Sequence, residues 1–269
     1  MNPIIIYRDD IDWRQEAEFA KKHFTCYNSR LKVKAGDLVI ARFSALPFFK
    51  EQENDYKEIG AQMINNYTEH NYIADLGNWY WDLADFTPKT WNDLVSLPEK
   101  GPFILKGETN SKKFFWKDLM YAEDKKAAID IYGKLCADSM LQYQKIYIRQ
   151  YIPLETYMIG LQGLPITKEF RFFCYKDQIL SGGFYWSSHV EELSEIPNSD
   201  EVPREFLYKI INIVKENTNY YVIDVAKTQS GEWIVIELND GTCSGLSENN
   251  PDILYKNLKK CLDNDKIWK

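Results

Sequence analysis

Residues 224–241 read DVAKTQSGEWIVIELNDG, in which two apolar segments flank Gln229-Ser230-Gly231. Val, Ile and Trp favour strands, and a short Ser-Gly turn between two such segments favours an antiparallel hairpin. Alternate side chains of a strand share a face, so Glu237 and Asn239 project together and the hairpin brings Asp224 back beside them. The segment therefore predicts three oxygen donors in one place.

Such a set of donors suits magnesium, which prefers a few hard oxygens and takes its other ligands from substrate phosphates. We therefore predict Asp224, Glu237 and Asn239 as a site that holds Mg²⁺ against a polyphosphate. The alternative is a hairpin whose polar side chains only face water. Charged residues flanked by Val, Ile and Leu make this alternative less favourable.

A second candidate site is basic. Lys106 ends the apolar segment GPFILK, and the polar loop GETNSKK follows it. Lys106 can reach a phosphate from the end of its strand, and Ser111, Lys112 and Lys113 can cover the phosphates with hydroxyl and ammonium groups. The loop does not match G-x-x-x-x-G-K-[ST], so a solvated surface loop is the alternative interpretation.

A third candidate lies in the segment KEFRFF of residues 168–173. Glu169 and Arg171 share one face of the predicted strand, and the other face is apolar. A fixed guanidinium can stabilise a phosphoryl group during its transfer. The alternative is a Glu-Arg ladder on the surface of a sheet.

The composition excludes several classes of protein. A net charge of -7 over 269 residues disfavours a broad nucleic-acid interface. We expect a soluble, cytoplasmic protein without membrane contact, because no segment reaches the roughly 20 apolar residues needed to span a bilayer. Five scattered cysteines and three histidines without metal-ligand spacing predict reduced thiols and no zinc site.

The order of predicted elements indicates two domains. Strand patterns at residues 4–7 and 38–42 alternate with helical patterns, the longer of which runs from about Glu51 to Glu69. This alternation is typical of a small α/β domain, which we place at residues 1–98. The remaining residues, 99–269, are richer in strands with hairpin spacing and form the second predicted domain.

Taken in order, these segments resemble the ATP-grasp superfamily from about Gly101 to Gly245. Lys106 is similar to the first phosphate lysine of that superfamily, and Arg171 to its strand arginine near the phosphates. Asp224 with Glu237-Leu238-Asn239 resembles its acidic metal ligands and its closing E-x-N. The ordered series is more specific than any single member.

The resemblance also implies an adenine site. Gln150, Tyr151 and Ile152 match a hinge whose backbone pairs with adenine, and Glu155 matches a glutamate that holds the ribose hydroxyls. The phosphate loop departs from the superfamily, because it has asparagine, serine and lysines where many ligases have glycines. We therefore expect its closure over the phosphates to differ from that of those ligases.

Longer segments resemble a bacterial and phage ATP-grasp clade named for one arginine and two lysines. They include FSALPFFK at residues 43–50, TPKTW at residues 87–91 and EFRFF at residues 169–173. The C-terminal half is also similar to the eukaryotic ATP-grasp factor that assembles a translation-initiation complex. The implied fold is α+β, with two lobes whose antiparallel sheets grip ATP, preceded by a small α/β domain.

The resemblance implies an ATP- and Mg-dependent ligase. In such an enzyme a carboxylate attacks the γ-phosphate, and an amine or similar nucleophile then displaces phosphate from the acyl phosphate. Arg171 and Lys113 are the implied catalytic residues. The carboxylate and the acceptor, whether small molecules or peptides, are not defined by the sequence.

Two other interpretations remain open at this point. One is an ATP-bound assembly or interaction factor without ligase turnover, and the other is an α/β protein that binds no nucleotide. Cys243-Ser244-Gly245, beside His189 and Trp186, can line an acceptor site, although isolated residues of these types are more often structural.

Overall fold

The computed structural model describes residues 1–9 and 11–267, so Asp10, Trp268 and Lys269 of the two predicted domains lie outside the described residues. The strands are β1 Asn2–Tyr7, β2 Thr25–Tyr27, β3 Asp37–Arg42, β4 Gln62–Met63, β5 Thr90–Trp91, β6 Lys100–Gly107, β7 Tyr121–Asp124, β8 Ile146–Gln150, β9 Thr156–Ile159, β10 Pro165–Thr167, β11 Glu169–Tyr175, β12 Gln178–Phe184, β13 Tyr220–Lys227 and β14 Trp233–Asp240. The α-helices are α1 Ile11–Ala20, α2 Phe49–Glu58, α3 Tyr67–Ala74, α4 Leu76–Trp79, α5 Lys125–Cys136, α6 Arg204–Val214 and α7 Pro251–Ile267. Within these ranges, no helix combines the length and the apolar character that crossing a bilayer requires.

The N-terminal sheet has the order β2-β1-β3-β4, and its strands are parallel. Its central strands are apolar on both faces, which is typical of a parallel sheet covered on both sides. Ile4 and Val39 pack with residues of α2 on one face, and Ile5 and Ile40 belong to the cluster that contains α7 on the other. The N-terminal strands and helices therefore have the α/β architecture that the sequence predicts, and the domain boundary at residue 98 stays a prediction.

The single helix predicted from about Glu51 to Glu69 is wrong. Helix α2 ends before Gly60, whose φ of 77° is the left-handed conformation that commonly terminates helices. The short strand β4 follows, and Asn66 then starts α3 with a capping box that includes Glu69. The apolar spacing that indicated one helix comes from two helices and a strand, and the two helices pack into different apolar clusters.

The middle sheet has the order β5-β8-β6-β7 and is antiparallel. Leu105 of β6 lies opposite Ile148 of β8, and both are fully buried. Ala128 and Leu135 of α5 pack against them in one cluster. This packing holds in place β6, which carries Lys106, and β8, which carries Arg149.

The C-terminal sheet has the order β12-β11-β13-β14 and is also antiparallel. The hairpin predicted from residues 224–241 forms between β13 and β14, and its turn contains Gly231 with a φ of 94°. Asp224 lies opposite Arg171 on one side and Glu237 on the other. The register thus aligns three of the predicted site residues across three adjacent strands.

Helix α7 joins the N-terminal and C-terminal sheets and was not predicted. Its buried residues Leu254, Tyr255 and Leu258 belong to one cluster with Ile40 of β3 and Phe173 of β11. Burial of such side chains stabilises the junction by roughly 1.5–3 kcal/mol each. The N-terminal sheet is therefore packed firmly against the sheet that carries Asp224 and Glu237.

Arg42 at the end of β3 links the N-terminal sheet to the loop after β14. Its guanidinium is 1% exposed and donates to both carboxylate oxygens of Glu16, at 2.8 and 3.3 Å. It also donates to the carbonyl oxygens of Gly241, of Thr242 at 3.3 Å and of Ser244 at 2.8 Å. Burial alone would lower the pKa of Arg42, but Glu16 and nearby tyrosines raise it, so the cation is fixed in place.

We predict that Arg42→Ala lowers the free energy of unfolding by about 3–5 kcal/mol, because it leaves the buried carboxylate of Glu16 without its charged partner. Urea denaturation measures this change. The matched control is Arg204→Ala, which removes an exposed pair with Asp200 at 3.3 Å and should change the free energy by less than about 1 kcal/mol. Equal effects of the two substitutions would contradict the role given to Arg42.

Candidate functional site

A cleft of about 830 Å³ lies between the middle and C-terminal sheets. We call it the inter-sheet cleft, and its polar wall consists of Lys106, Ser111, Lys113, Arg149, Glu169 and Glu237. Its apolar wall includes Trp116, Met120, Ile152 and Leu164. A cavity with one apolar wall and a few converging charges is the usual form of a small-molecule site.

Contacts between the two sheets close the bottom of the cleft. The ammonium of Lys106 on β6 donates to the carboxylate of Glu237 on β14. Arg149 on β8 donates to the carbonyl oxygen of Ile236. The Oγ1 of Thr87 donates to the carbonyl oxygen of Val235 at 2.8 Å. These contacts place the predicted phosphate lysine directly against a predicted metal ligand.

Lys106 and Glu237 each shift the pKa of the other. Burial alone would raise the pKa of Glu237, but Lys106 and Lys113 lower it to about 2. Burial lowers the pKa of Lys106, and Glu237 only partly opposes that effect. The Glu237 carboxylate is therefore ionised at neutral pH, as a metal ligand must be.

Lys113 lies on the side of the cleft formed by the polar loop. Its ammonium donates to the hydroxyl of Tyr185 at 2.6 Å, and it lies 4.0 Å from the Tyr185 ring and 5.0 Å from the Trp186 ring. Burial alone would lower the pKa of Lys113, but Tyr185, Glu169 and Glu237 together raise it. The cleft thus holds a permanently charged cation beside the predicted metal site.

Arg171 is held by a bidentate ion pair with Asp224. Its Nε and Nη2 donate to the two carboxylate oxygens at 2.9 and 2.7 Å, and its Nη1 donates to the carbonyl oxygen of Gly245 at 2.9 Å. Burial alone would lower the pKa of Arg171, but Asp224 raises it. Both oxygens of Asp224 therefore face a guanidinium, and the side chain is 0% exposed.

Glu169 is a further functional candidate. From the sequence it was predicted only to share a strand face with Arg171. It is 3% exposed and borders the inter-sheet cleft, and its Oε1 has no hydrogen-bond partner among the described residues. Burial raises the pKa of Glu169 to about 7, although Lys113 acts in the opposite direction. A buried carboxyl that titrates near neutrality in a cleft beside lysine side chains is a feature of functional sites.

The predicted hinge lines the other end of the cleft. Gln150, Tyr151 and Ile152 border it. The N–H of Gln150 donates to the carbonyl of Lys89 at 2.8 Å, and the N–H of Tyr151 to that of Pro102 at 3.1 Å. The backbone N–H groups of Gln150 and Tyr151 are therefore already used. Of the three predicted residues, Ile152 is the one whose N–H is left to pair with the edge of a base.

Two predicted nucleotide-binding residues lie apart from the cleft. Glu155 pairs with Lys168 at 3.4 Å and Lys227 at 3.3 Å, and it does not border the cleft. Lys112 pairs with Asp138 at 2.7 Å and does not border it either. Their predicted roles require that these ion pairs open, and they stay predictions.

The predicted metal donors have a composition that suits magnesium rather than a transition metal. Among residues 1–9 and 11–267 there is no group of three or more His, Cys, Asp or Glu that could hold a metal by itself. Glu237 borders the inter-sheet cleft, but Asp224 does not, and both of its carboxylate oxygens accept from Arg171. Its role as a metal ligand requires that one of these hydrogen bonds open, and it stays a prediction. The three predicted donors would make an incomplete shell. Such a shell fits a cation that takes its remaining ligands from water and phosphate oxygens.

A second cavity, of about 890 Å³, adjoins the first on the side of the N-terminal sheet. We call it the second cavity, and Ser111 and Glu237 border both cavities. Its other walls include Arg171, Asn239 and the predicted acceptor loop Cys243-Ser244-Gly245. Trp186 borders the inter-sheet cleft instead, and His189 borders neither cavity.

The second cavity has one wall from the N-terminal half of the chain. Ser44, Leu46 and His70 border it from that side. His70, like Arg149 and Tyr185, was not predicted as a site residue. Arg149 could have been noticed as a charge within the apolar strand segment IYIRQ. Nothing local in the sequence marks His70, because it reaches the site only through the packing of α3 on β14.

The fold and the cleft define a protein of the ATP-grasp class. The family model that matches residues 95–258, more than half of the chain, describes an ATP-grasp domain, family 3 of the clade named for one arginine and two lysines. The chain therefore belongs to this family. No curated protein matches the chain in sequence.

Solved structures of ATP-grasp proteins share the fold over nearly the whole chain. The RimK domain ATP-grasp protein from Sphaerobacter thermophilus is 14% identical, with 94% of this chain and 98% of that chain covered and a TM-score of 0.56. D-alanine–D-alanine ligase from Bacillus anthracis, complexed with ATP, is 10% identical, with 99% and 100% covered and a TM-score of 0.59. The ATP-grasp ligase PsnB, complexed with its minimal precursor, is 13% identical, with 96% and 98% covered and a TM-score of 0.56.

We predict a pH-dependent stability that depends on Glu169. Its pKa of about 7 in the folded chain exceeds the ordinary value of 4.5, so the folded state binds more protons between these values. The stability contributed by the neutral carboxyl is fully present below pH 4.5 and is lost as pH rises through about 7. Relative to Glu169→Gln, the free energy of unfolding of the wild type should fall across this window.

Urea denaturation at a series of pH values measures the difference between the two proteins. Glu205→Gln, at an exposed position of α6, is the control and should follow the wild type at every pH. A constant difference between wild type and Glu169→Gln across the window would show that Glu169 does not titrate there.

Proposed function

We propose that the protein is an ATP- and Mg-dependent ligase that activates a carboxylate as an acyl phosphate and joins it to an amine or similar nucleophile. The observation that carries the proposal is the junction of the two cavities at Glu237. One cavity offers an apolar wall and phosphate-binding cations, and the other leads from Arg171 to the acceptor loop. A nucleotide and a second substrate can therefore meet at one carboxylate.

The residues of the inter-sheet cleft have distinct roles in this proposal. The hinge from Gln150 to Ile152 and the apolar wall hold the base. Lys106 and Lys113 bind the phosphates as charge-assisted hydrogen-bond donors. Opening of the Lys106–Glu237 pair frees both groups, so the lysine can turn to phosphate while the carboxylate binds metal.

Glu237 and Asn239 would hold magnesium, and Asp224 would join them with one carboxylate oxygen while the other stays on Arg171. When bound, magnesium neutralises charge on the phosphates. Arg171 is fixed by Asp224 beside the second cavity and would stabilise the phosphoryl group as it passes to the carboxylate. The rest of catalysis is positioning of the reactants, as is general for phosphoryl transfer. The proposal assigns no covalent role to a protein side chain.

ADP release in the presence of ATP, Mg²⁺ and a panel of amino acids and short peptides tests this function. Each panel member carries both a carboxylate and an amine, and mass spectrometry identifies any ligated product. The ligase function is supported if ADP release depends on a panel member and the product has the mass of the two joined molecules less one water. Tight ATP binding without ADP release from any member would favour an ATP-bound assembly factor.

For a substrate found in this way, we predict that Arg171→Lys lowers kcat by about a hundredfold, because lysine cannot reproduce the planar donors toward the transferring group. ATP affinity should change much less. Steady-state kinetics and calorimetry measure the two effects separately. Arg204→Lys is the matched control, since Arg204 forms only an exposed pair with Asp200. An unchanged kcat in Arg171→Lys would remove Arg171 from the mechanism.

A further inference from the structure

His70 has an unusual position at the wall of the second cavity. It is 2% exposed and borders the cavity, and Phe49 stacks on its ring with the two centroids 3.7 Å apart. Helix α3 positions it, and that helix is fixed at its start by the capping box of Asn66 and Glu69. The ring is therefore held by packing on its face as well as by hydrogen bonding at its edge.

Asp240 determines the tautomer of His70. The Nδ1 of His70 lies 2.9 Å from Oδ2 of Asp240. The other oxygen of Asp240 accepts from the N–H of Thr242 at 2.7 Å and from its Oγ1 at 2.6 Å. The two oxygens of Asp240 therefore accept from three donors, one of them the imidazole ring. In the neutral imidazole Nδ1 therefore carries the proton, and Nε2 carries the lone pair.

Nε2 has no hydrogen-bond partner among the described residues. Buried polar atoms in this condition are rare in native proteins, and a functional role is one of the explanations for them. The chain has four such side-chain atoms in its described part, and His70 is the residue among them that borders the second cavity. A lone pair at this wall is suited to accept a hydrogen bond from an N–H group.

Three other polar residues of the cavity are engaged or uncharged. The hydroxyl of Ser244 donates to the carbonyl oxygen of Asp240 at 2.8 Å. Burial raises the pKa of the Cys243 thiol to about 12, so it stays protonated. Arg171 faces Asp224 and Gly245. The cavity therefore has a cationic donor in Arg171, acceptor oxygens in Glu237 and Asn239, and a further acceptor atom in His70.

We propose that the second cavity binds the amine acceptor of the ligase and that Nε2 of His70 accepts a hydrogen bond from its nitrogen. The inference rests on the proposed function. As the amine nitrogen bonds to the carbonyl carbon, the carbon–oxygen bond to phosphate breaks and phosphate leaves with the electron pair. One proton of the nitrogen passes to Nε2. Asp240 is a positioning residue that binds Nδ1 and so leaves Nε2 as the ring nitrogen without a protein partner.

Nitrogen NMR of histidine-labelled protein tests this assignment, because the chain has three histidines. The probes are glycinamide, which has a free amine, and N-acetylglycinamide, which does not. Both are titrated into the full chain with Mg²⁺ and a non-hydrolysable ATP analogue. We expect glycinamide to shift the Nε2 resonance of His70 saturably, and N-acetylglycinamide to leave it unchanged.

His23 is the matched control, since its Nε2 lies 3.2 Å from Asp252 in a second, more exposed His–Asp pair. Its resonances should not move, and His23→Gln should bind glycinamide as the wild type does. Asp240→Asn should weaken glycinamide binding about fivefold, as expected for loss of one orienting hydrogen bond. If Asp240→Asn does not fold, the wild-type titration alone decides.

The outcomes separate this inference from the proposed function. If the ATP analogue binds with Mg²⁺ but glycinamide does not shift His70, or shifts it no more than N-acetylglycinamide does, the inference is overturned and the nucleotide site stands. If the ATP analogue itself does not bind, the proposed function and the inference fail together.

Discussion

The ion pair between Lys106 and Glu237 joins the two sheets that enclose the inter-sheet cleft. Its side chains are 7% and 16% exposed, so neither charge is well hydrated. A charge buried in this way is costly unless it is paired. When the pair opens, each partner requires a new counter-charge, and a phosphate for the lysine together with a metal ion for the carboxylate supplies both.

The N-terminal sheet contributes to the site by fixing the loop that follows β14. Arg42 holds the carbonyl groups of that loop from one side, and Arg171 holds Gly245 from the other. The loop therefore has little freedom to follow a ligand. This constraint shapes the second cavity. Its lining includes both His70, from the first hundred residues of the chain, and Asn239.

The parts of the fold that could be predicted are those that local patterns determine. The alternation in residues 224–241 predicts the hairpin, and the spacing of Glu237 and Asn239 places both side chains at the second cavity. Lys106 is recognisable because an apolar strand ends on it. The roles of these residues in binding metal and phosphate remain predictions.

The other features depend on contacts that are distant in sequence. Gly60 interrupts a helical pattern that apolar spacing alone would continue. Glu155 and Lys112 have the expected types of side chain, but the fold supplies oppositely charged neighbours that hold them away from the cleft. His70 becomes a candidate only through its contact with Asp240, which lies 170 positions later in the chain.

Calorimetric titration of ATP with and without Mg²⁺ tests the central claim most directly. Lys106→Met should weaken ATP binding about tenfold or more in both conditions, since it removes a charge-assisted donor. Glu237→Gln should weaken binding only when Mg²⁺ is present, because without metal its carboxylate repels phosphate. Lys125→Met, which breaks a pair with the exposed Glu99, is the control. Equal losses in Glu237→Gln with and without Mg²⁺, or no loss at all, would contradict a metal–nucleotide site at the Lys106–Glu237 pair.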